Sequence, residues 1–399
     1  MNEAYLYEGV RTPFGKAGGA LAGVRPDDLA ELVISALVDR APGITAEGAG
    51  DAVGEVIFGN ANGAGEENRN VGRMAWLLAG GATTVPASTV NRLCGSSLDA
   101  AIQGARQIRL QESEVVLVGG VESMSRAPWV LPKTERPYPM QNLELANTAL
   151  GWRLINERMP EEWTVSLGEA TEQLREKYGI TRERQDEFAA RSHQLALAAW
   201  EAGHYEELTV MVPGTDLRRD QTLRETVTAE SLAGLGTVFR KEGGTVTAGN
   251  ASPMNDGASA AWIGSAAGGE KLGLSPKARI AGWGAAANEP QFFGYAPVEA
   301  TSRALSHAGI SWNHVDAVEL NEAFAAQSLA CIDAWGIDPE IVNAWGGAVA
   351  IGHPLGASGT RCLSTLAARL ESTGARWGVA TLCIGVGQGL AVVLENTNS

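Results

Sequence analysis

Residues 94–120 read CGSSLDAAIQGARQIRLQESEVVLVGG, and residues 353–383 read HPLGASGTRCLSTLAARLESTGARWGVATLC. Each stretch opens on a small-residue, glycine-containing turn that carries one reactive side chain, Cys94 or His353. Each continues through an amphipathic run (LDAAIQGARQIRL, TRCLSTLAARL) and closes on an apolar strand. The runs have helical periodicity, and the strands are continuous apolar segments of the kind buried on both faces. Upstream, a helix-like segment at 27–40 precedes DAVGEVIFG at 51–59, and another at 298–308 precedes DAVELNEAF at 316–324. The order helix, strand, Gly-rich turn, helix, strand therefore occurs twice with similar spacing, which predicts a duplicated α/β chain. Alternating helices and strands further predict right-handed crossovers and mainly parallel sheets.

Residues 122–252 have no counterpart in the second half. They are richer in charge and Pro and contain a helix-like stretch at 182–202. The expected layout is an N-terminal half at 1–121 plus 253–275, an inserted loop domain at 122–252 and a C-terminal half at 276–399. The insertion carries Arg218, Arg219, Arg224, Arg240 and Lys241. Such a run is either a solvated face or a seat for the phosphates of an anionic ligand.

Composition narrows the partners. The net charge of −15 argues against nucleic acid or an anionic membrane surface, because both need a basic face. Residues 379–394 (VATLCIGVGQGLAVVL) are too short for a membrane span of ~20 residues and carry Gln388 among glycines, so they read as two buried strands joined by a glycine turn. The opening MNEAYLYEGVRTPFGK lacks a signal pattern, and four scattered cysteines form no disulfide framework. A cytoplasmic setting is the expectation. Glycine makes up 49 of 399 residues, about 12% against a usual value of roughly 7%.

Cys94 falls where an apolar strand pattern gives way to a helical one. Unpaired N–H groups and the dipole at a helix start favour a thiolate there and predict a lowered thiol pKa. On composition alone a lone Cys is a small buried hydrophobe, so the residue reading leaves both roles open. His353 lies in the Gly-rich segment 346–359, and neutral imidazole is a natural base for a thiol. His193, His204, His307 and His314 sit in polar contexts that suggest surface roles. Cys383 ends a strand, as does Asn321, whose amide could hold a water or a carbonyl oxygen. Cys331 and Cys362 fall on apolar helical faces and read as core. The absence of a C-x-x-C pair disfavours a structural zinc site, and Gly385-Val-Gly-Gln-Gly389 lacks dinucleotide-fingerprint spacing.

Six blocks, NRLCGS (91–96), GGVESMS (119–125), TAGNASPMNDGA (247–258), NEAFAAQ (321–327), GHPLGASG (352–359) and CIGVGQG (383–389), together resemble the thiolases, the acetyl-CoA acyltransferases. They stand in that family's order and span essentially the whole chain. The resemblance implies two βαβαβαββ halves stacked as five α/β layers, with an inserted loop domain that binds coenzyme A. It implies Cys94 as nucleophile, His353 as its base, Cys383 as second acid/base and Asn321 as holder of a water on the thioester oxygen. The N–H groups of Cys94 and Gly385 would form an oxyanion hole. For CoA the matching positions are Arg224, Leu235, Phe239, Ala248 and Ser252, with Ser166 and Leu167 along the pantetheine.

The implied activity is reversible cleavage of a 3-oxoacyl-CoA by CoA through a Cys94 acyl-enzyme. Acyl-CoA and CoA are then the partners, CoA is a substrate, and no resident cofactor or metal is expected. A homotetramer or homodimer is implied. Ser166-Leu167 and the segments 63–70 and 150–153 look most like degradative members of fatty acid or aromatic breakdown, including the 3-oxoadipyl-CoA type. Alternatives are an acetoacetyl-CoA-forming acetyl-CoA C-acetyltransferase, a ketoacyl synthase relative (disfavoured because those pair Cys with two His), or a non-catalytic lipid- or CoA-binding homologue (disfavoured by the presence of Cys94 and His353). Trp345 stands where the family commonly has Asn, and Val386 where it commonly has Gly.

Overall fold

The computed structural model describes residues 2–45 and 48–398. Met1 and Ser399, the outermost residues of the two expected halves, and Ala46 and Glu47 lie outside the described residues. The chain begins with β1 (Tyr5–Arg11), α1 (Pro26–Asp39), β2 (Val53–Gly59), α2 (Val71–Leu78), β3 (Ala87–Val90), α3 (Ser96–Leu110) and β4 (Val115–Ser123). It then leaves the sheet for an excursion that includes α4 (Leu167–Tyr178) and α5 (Arg182–Glu201), and returns as β5 (Asn255–Gly264). Next come β6 (Ala278–Ala287), α6 (Ala296–Ala308), β7 (Ala317–Leu320), α7 (Ala325–Trp335), α8 (Ser358–Thr373), β8 (Trp377–Ile384) and β9 (Gln388–Asn396). β4 runs two residues beyond the expected boundary at 121, and β5 starts two residues after 253.

The strands form one sheet in the order β7-β8-β9-β6-β1-β5-β4-β2-β3. The duplication is visible in this order. The first half reads β1-β5-β4-β2-β3 and the second β6-β9-β8-β7, with the outermost place taken by Val342, which bridges in parallel to Val318. The halves meet over a short antiparallel contact in which Tyr5 and Leu6 pair with Arg279 and Ala278.

The expectation of mainly parallel pairing is not met. Among the strand pairs of the described residues, β2/β3, β2/β4 and β7/β8 alone are parallel. The pairs β1/β5, β1/β6, β4/β5, β6/β9 and β8/β9 are antiparallel. Helical crossovers dictate parallel neighbours only inside each half. β9 follows β8 through a tight turn and β5 returns from the long excursion, and each inserts between two others and runs antiparallel to both.

Five layers result. α1 and α2 cover the outer face of the first half-sheet, where Val33, Leu37 and Trp76 pack on Val56 and Leu117. α3 and α8 fill the middle, where Ile102 and Ile108 meet Leu363 and Leu366 in one core with Val118 of the first half and Leu382 of the second. α6 and α7 close the far face, with Leu305 and Ile332 against Val318 and Val379. All residues of β4 and β8 are buried, in keeping with their mostly apolar sequences. The middle helices approach closely at their N-termini: a Cβ on Gly359 would lie 2.3 Å from the Leu98 nitrogen. That contact brings the turn before α3 and the loop before α8 to one place.

Candidate active site

Cys94 sits in a single 3-10 turn, Leu93–Gly95, between β3 and α3. Leu93 holds a left-handed φ of 48° there, a strained conformation of the kind that concentrates at functional sites. The thiol is 6% exposed. Backbone N–H groups of Gly385 and of Cys94 itself favour its charged form, but burial outweighs them, Glu122 adds a like charge, and the pKa rises to about 11. The expected lowering at the helix start is therefore overturned: loss of hydration costs a thiolate more than these donors return in the resting state.

Cys383 ends β8 fully buried, and its thiol is pushed well above the usual value, first by burial and then by neighbouring Cys94. The two thiols are thus close enough for their charges to couple, and the turn after β8 links Cys383 to Gly385, whose N–H meets Cys94. In that turn Val386 stands at φ 66° with 38% of its surface exposed. Glycine adopts this conformation without cost, whereas here an isopropyl group is held into the cavity beside Cys94.

His353 enters from the opposite half. Gly352, at φ 106°, lets the chain pass Asn255, whose side chain a Cβ would approach to 2.5 Å. Asn255 Oδ1 accepts the His353 N–H at 3.0 Å. The His353 Nδ1 lies 2.6 Å from Ser358 Oγ, and that hydroxyl donates to Pro354 O at 3.0 Å. With its proton so committed, Ser358 accepts Nδ1–H and leaves Nε2 as the basic nitrogen. Burial, aided by the Arg361 charge, pulls the imidazole down to about 3. Asn321 directs Nδ2 at the ring, 3.3 and 3.4 Å from its two nitrogens, while its Oδ1 accepts from Arg361 at 2.9 Å.

A cavity of about 400 Å³ opens over Cys94. Gly385, Val386, Leu167, Leu355 and Glu122 are among the residues that wall it. Glu122 is fully desolvated, which raises its pKa to about 7. It ties the two halves together by accepting from Ala61 N at 3.0 Å and Gly356 N at 2.9 Å.

Of the residues expected along CoA, Leu167 reaches this cavity and Ser166 caps α4 by accepting from Glu169 N. Phe239, 42% exposed, lies against Gly168, Leu235 lies against Gly249, and Ala248 is exposed. Ser252 is half-buried and donates its N–H to Ala323 O. Arg224 stands apart, exposed, its N–H donated to His193 Nδ1 at 3.3 Å.

Residues 4–267 match the thiolase N-terminal domain and residues 274–396 the thiolase C-terminal domain. The chain belongs to the thiolase family. It is 44% identical to the beta-ketoadipyl-CoA thiolase of Acinetobacter baylyi, over 99% of this chain and 100% of that protein. It is likewise 44% identical, with the same coverage, to the 3-oxoadipyl-CoA/3-oxo-5,6-dehydrosuberyl-CoA thiolase of Escherichia coli K12. Human mitochondrial 3-ketoacyl-CoA thiolase in complex with CoA superimposes with a TM-score of 0.92 at 35% identity, covering 99% of this chain and 98% of that one.

One sequence expectation about the histidines needs correction in this thiolase. His193 is buried, and its imidazole is pulled down to about 4 by burial and then by the Arg224 charge. Within the basic run, Arg240 is already paired with Glu169 and Glu176, and Arg219 with Glu225. Arg218, Arg224 and Lys241 make no ion pair among the described residues. Trp345 leaves the support of the His353 loop intact, because Asn343 and Glu322 carry it: Asn343 brackets Leu320 and donates to Glu322, which in turn accepts from Ser192 and Val349 N. The indole stacks on His204 at 4.4 Å instead. Sequence reading assigned no role to Glu122, Asn255 or Ser358. A carboxylate near the end of a fully buried, mostly apolar strand was the available signal for Glu122.

Proposed function

We propose that this thiolase cleaves 3-oxoacyl-CoA esters of dicarboxylic acids, of the 3-oxoadipyl type, to acetyl-CoA and a shortened acyl-CoA. The observation that carries the chemistry is the buried Cys94 thiol at the base of an apolar cavity, with a backbone N–H aimed at it and a second buried thiol, Cys383, close enough to couple to its charge. Full-length likeness to two curated relatives named for such substrates supports the substrate class.

His353 Nε2 takes the proton from Cys94, and the thiolate attacks the 3-oxo carbon. Starting from a neutral thiol and a neutral imidazole, this transfer accompanies attack and does not precede it. The N–H groups of Cys94 and Gly385 turn to the developing oxyanion. The C2–C3 bond breaks, and its electron pair becomes the enolate of acetyl-CoA, which takes the proton of Cys383. The Asn321 amide beside His353 supports donation toward the enolate oxygen. In the second half-reaction the CoA thiol attacks the acyl-Cys94 thioester, gives its proton to the Cys383 thiolate, and Cys94 recovers its own from His353. The cycle so written closes on the chain's own groups, with CoA as substrate.

CoA would lie along Ser166, Leu167, Leu235, Phe239, Ala248 and Ser252, with Arg224 toward its phosphates. Exposed Trp129, Leu131, Tyr138 and Met140 favour assembly as a homotetramer or homodimer. Among the described residues no helix is long and apolar enough to cross a membrane. Four free cysteines support a reducing, cytoplasmic setting. Thiolysis rates on 3-oxoadipyl-CoA, 3-oxohexanoyl-CoA and acetoacetyl-CoA test the proposal. The diacid ester should have the highest kcat/KM; a preference for either neutral ester rejects the substrate class.

A further inference from the structure

The cavity over Cys94 has an apolar lining that includes Leu93, Leu150, Trp152, Trp163 and Leu355, and it also carries one guanidinium, that of Arg153. Arg153 is exposed and makes no ion pair among the described residues. It is nevertheless steered. Asn62, 8% exposed, donates Nδ2 to Thr148 O at 3.1 Å and to Thr148 Oγ1 at 3.0 Å, which turns its Oδ1 toward Arg153 Nη2 at 3.4 Å. Thr148 is itself anchored, its hydroxyl donating to Pro128 O. A hydrocarbon acyl tail needs only the apolar wall. A cation positioned by a buried amide at that wall, with most of its N–H groups uncommitted, suits an anion bound in fork geometry. The carboxyl that shares the cavity, Glu122, is occupied with Ala61 N and Gly356 N. In a chain of net charge −15, the one free carboxylate of such an acyl group gains from a local positive charge.

We infer that Arg153 is the substrate-binding residue that recognises the far carboxylate of the acyl group and so selects 3-oxo diacid esters over neutral ones of the same length. This rests on the diacid reading above. The test compares wild type, Arg153→Gln and Arg153→Lys in thiolysis of 3-oxoadipyl-CoA and of 3-oxohexanoyl-CoA, which has the same chain length without the carboxylate. In Arg153→Gln the ratio of the two kcat/KM values should fall about 10- to 100-fold, the size of one lost charged hydrogen-bonded contact. Arg153→Lys should lie between, because it keeps the charge and loses the fork. An unchanged ratio in Arg153→Gln overturns the assignment. So does an equal loss on both esters with a raised KM for CoA, which would give Arg153 to a CoA phosphate. Failure of the diacid reading is separate and shows in the wild type alone, as a ratio below one.

Discussion

At the scale of single residues, the two thiols have the same chemistry and different surroundings. Cys94 faces the cavity and receives a backbone N–H, whereas Cys383 is fully enclosed behind it. An enclosed thiol of raised pKa makes a poor nucleophile and a suitable proton donor to an enolate. Cys383→Ser should therefore slow deuterium exchange at the methyl group of acetyl-CoA by about 10²- to 10⁴-fold. It should slow transfer of an acyl group already on Cys94 far less. Equal losses in the two assays would refute the division of labour. Cys94 and His353 could be singled out in the sequence because each stands beside glycine at a helix start. The residues that orient them could not. Glu122 meets Gly356 across 234 positions of chain and Asn255 meets His353 across 98, and nothing local tells either residue which distant group it meets.

At the scale of elements, the site exists because α3 and α8 cross at their first turns. Gly359 makes that crossing possible, and Leu98 on α3 lies one helical turn from Cys94. Gly359→Ala puts a methyl group against backbone that cannot swing away, so one helix must shift. A cost of about 1–3 kcal/mol is expected in urea unfolding, as for other overpacked interiors. A lower kcat with little change in KM for CoA should accompany it, since the displaced turn carries the proposed nucleophile and none of the residues proposed along CoA lies at this crossing. Wild-type stability together with wild-type kcat would show that the crossing tolerates a side chain.

At the scale of the whole molecule, burial of titratable groups couples folding to pH. His193 is held near 4, below the roughly 6.5 of a free imidazole. The unfolded chain thus binds its proton first, and the stability this group contributes is fully present above pH 6.5 and lost as pH falls through 4. Buried carboxyls of raised pKa, Glu122 among them, act in the reverse sense, so the total slope mixes several groups. A difference isolates one. The stability gap between wild type and His193→Gln, whose amide can still accept the Arg224 N–H, should narrow between pH 7 and 4.5. A gap independent of pH would mean that His193 titrates in the folded protein as it does in the unfolded chain.

The duplication, the positions of helices and buried strands, the family and the candidate reactive side chains are all legible in the sequence alone. Each is written in local periodicity or in short blocks of residues. Strand direction, the sign of the Cys94 shift, the burial of His193 and the cavity that unites Arg153 with Cys94 were decided by tertiary structure. Each depends on which distant segments pack together. The returning strands β5 and β9 choose neighbours from across the chain, and the hydration that a thiol or imidazole keeps is the sum of what every surrounding element leaves open.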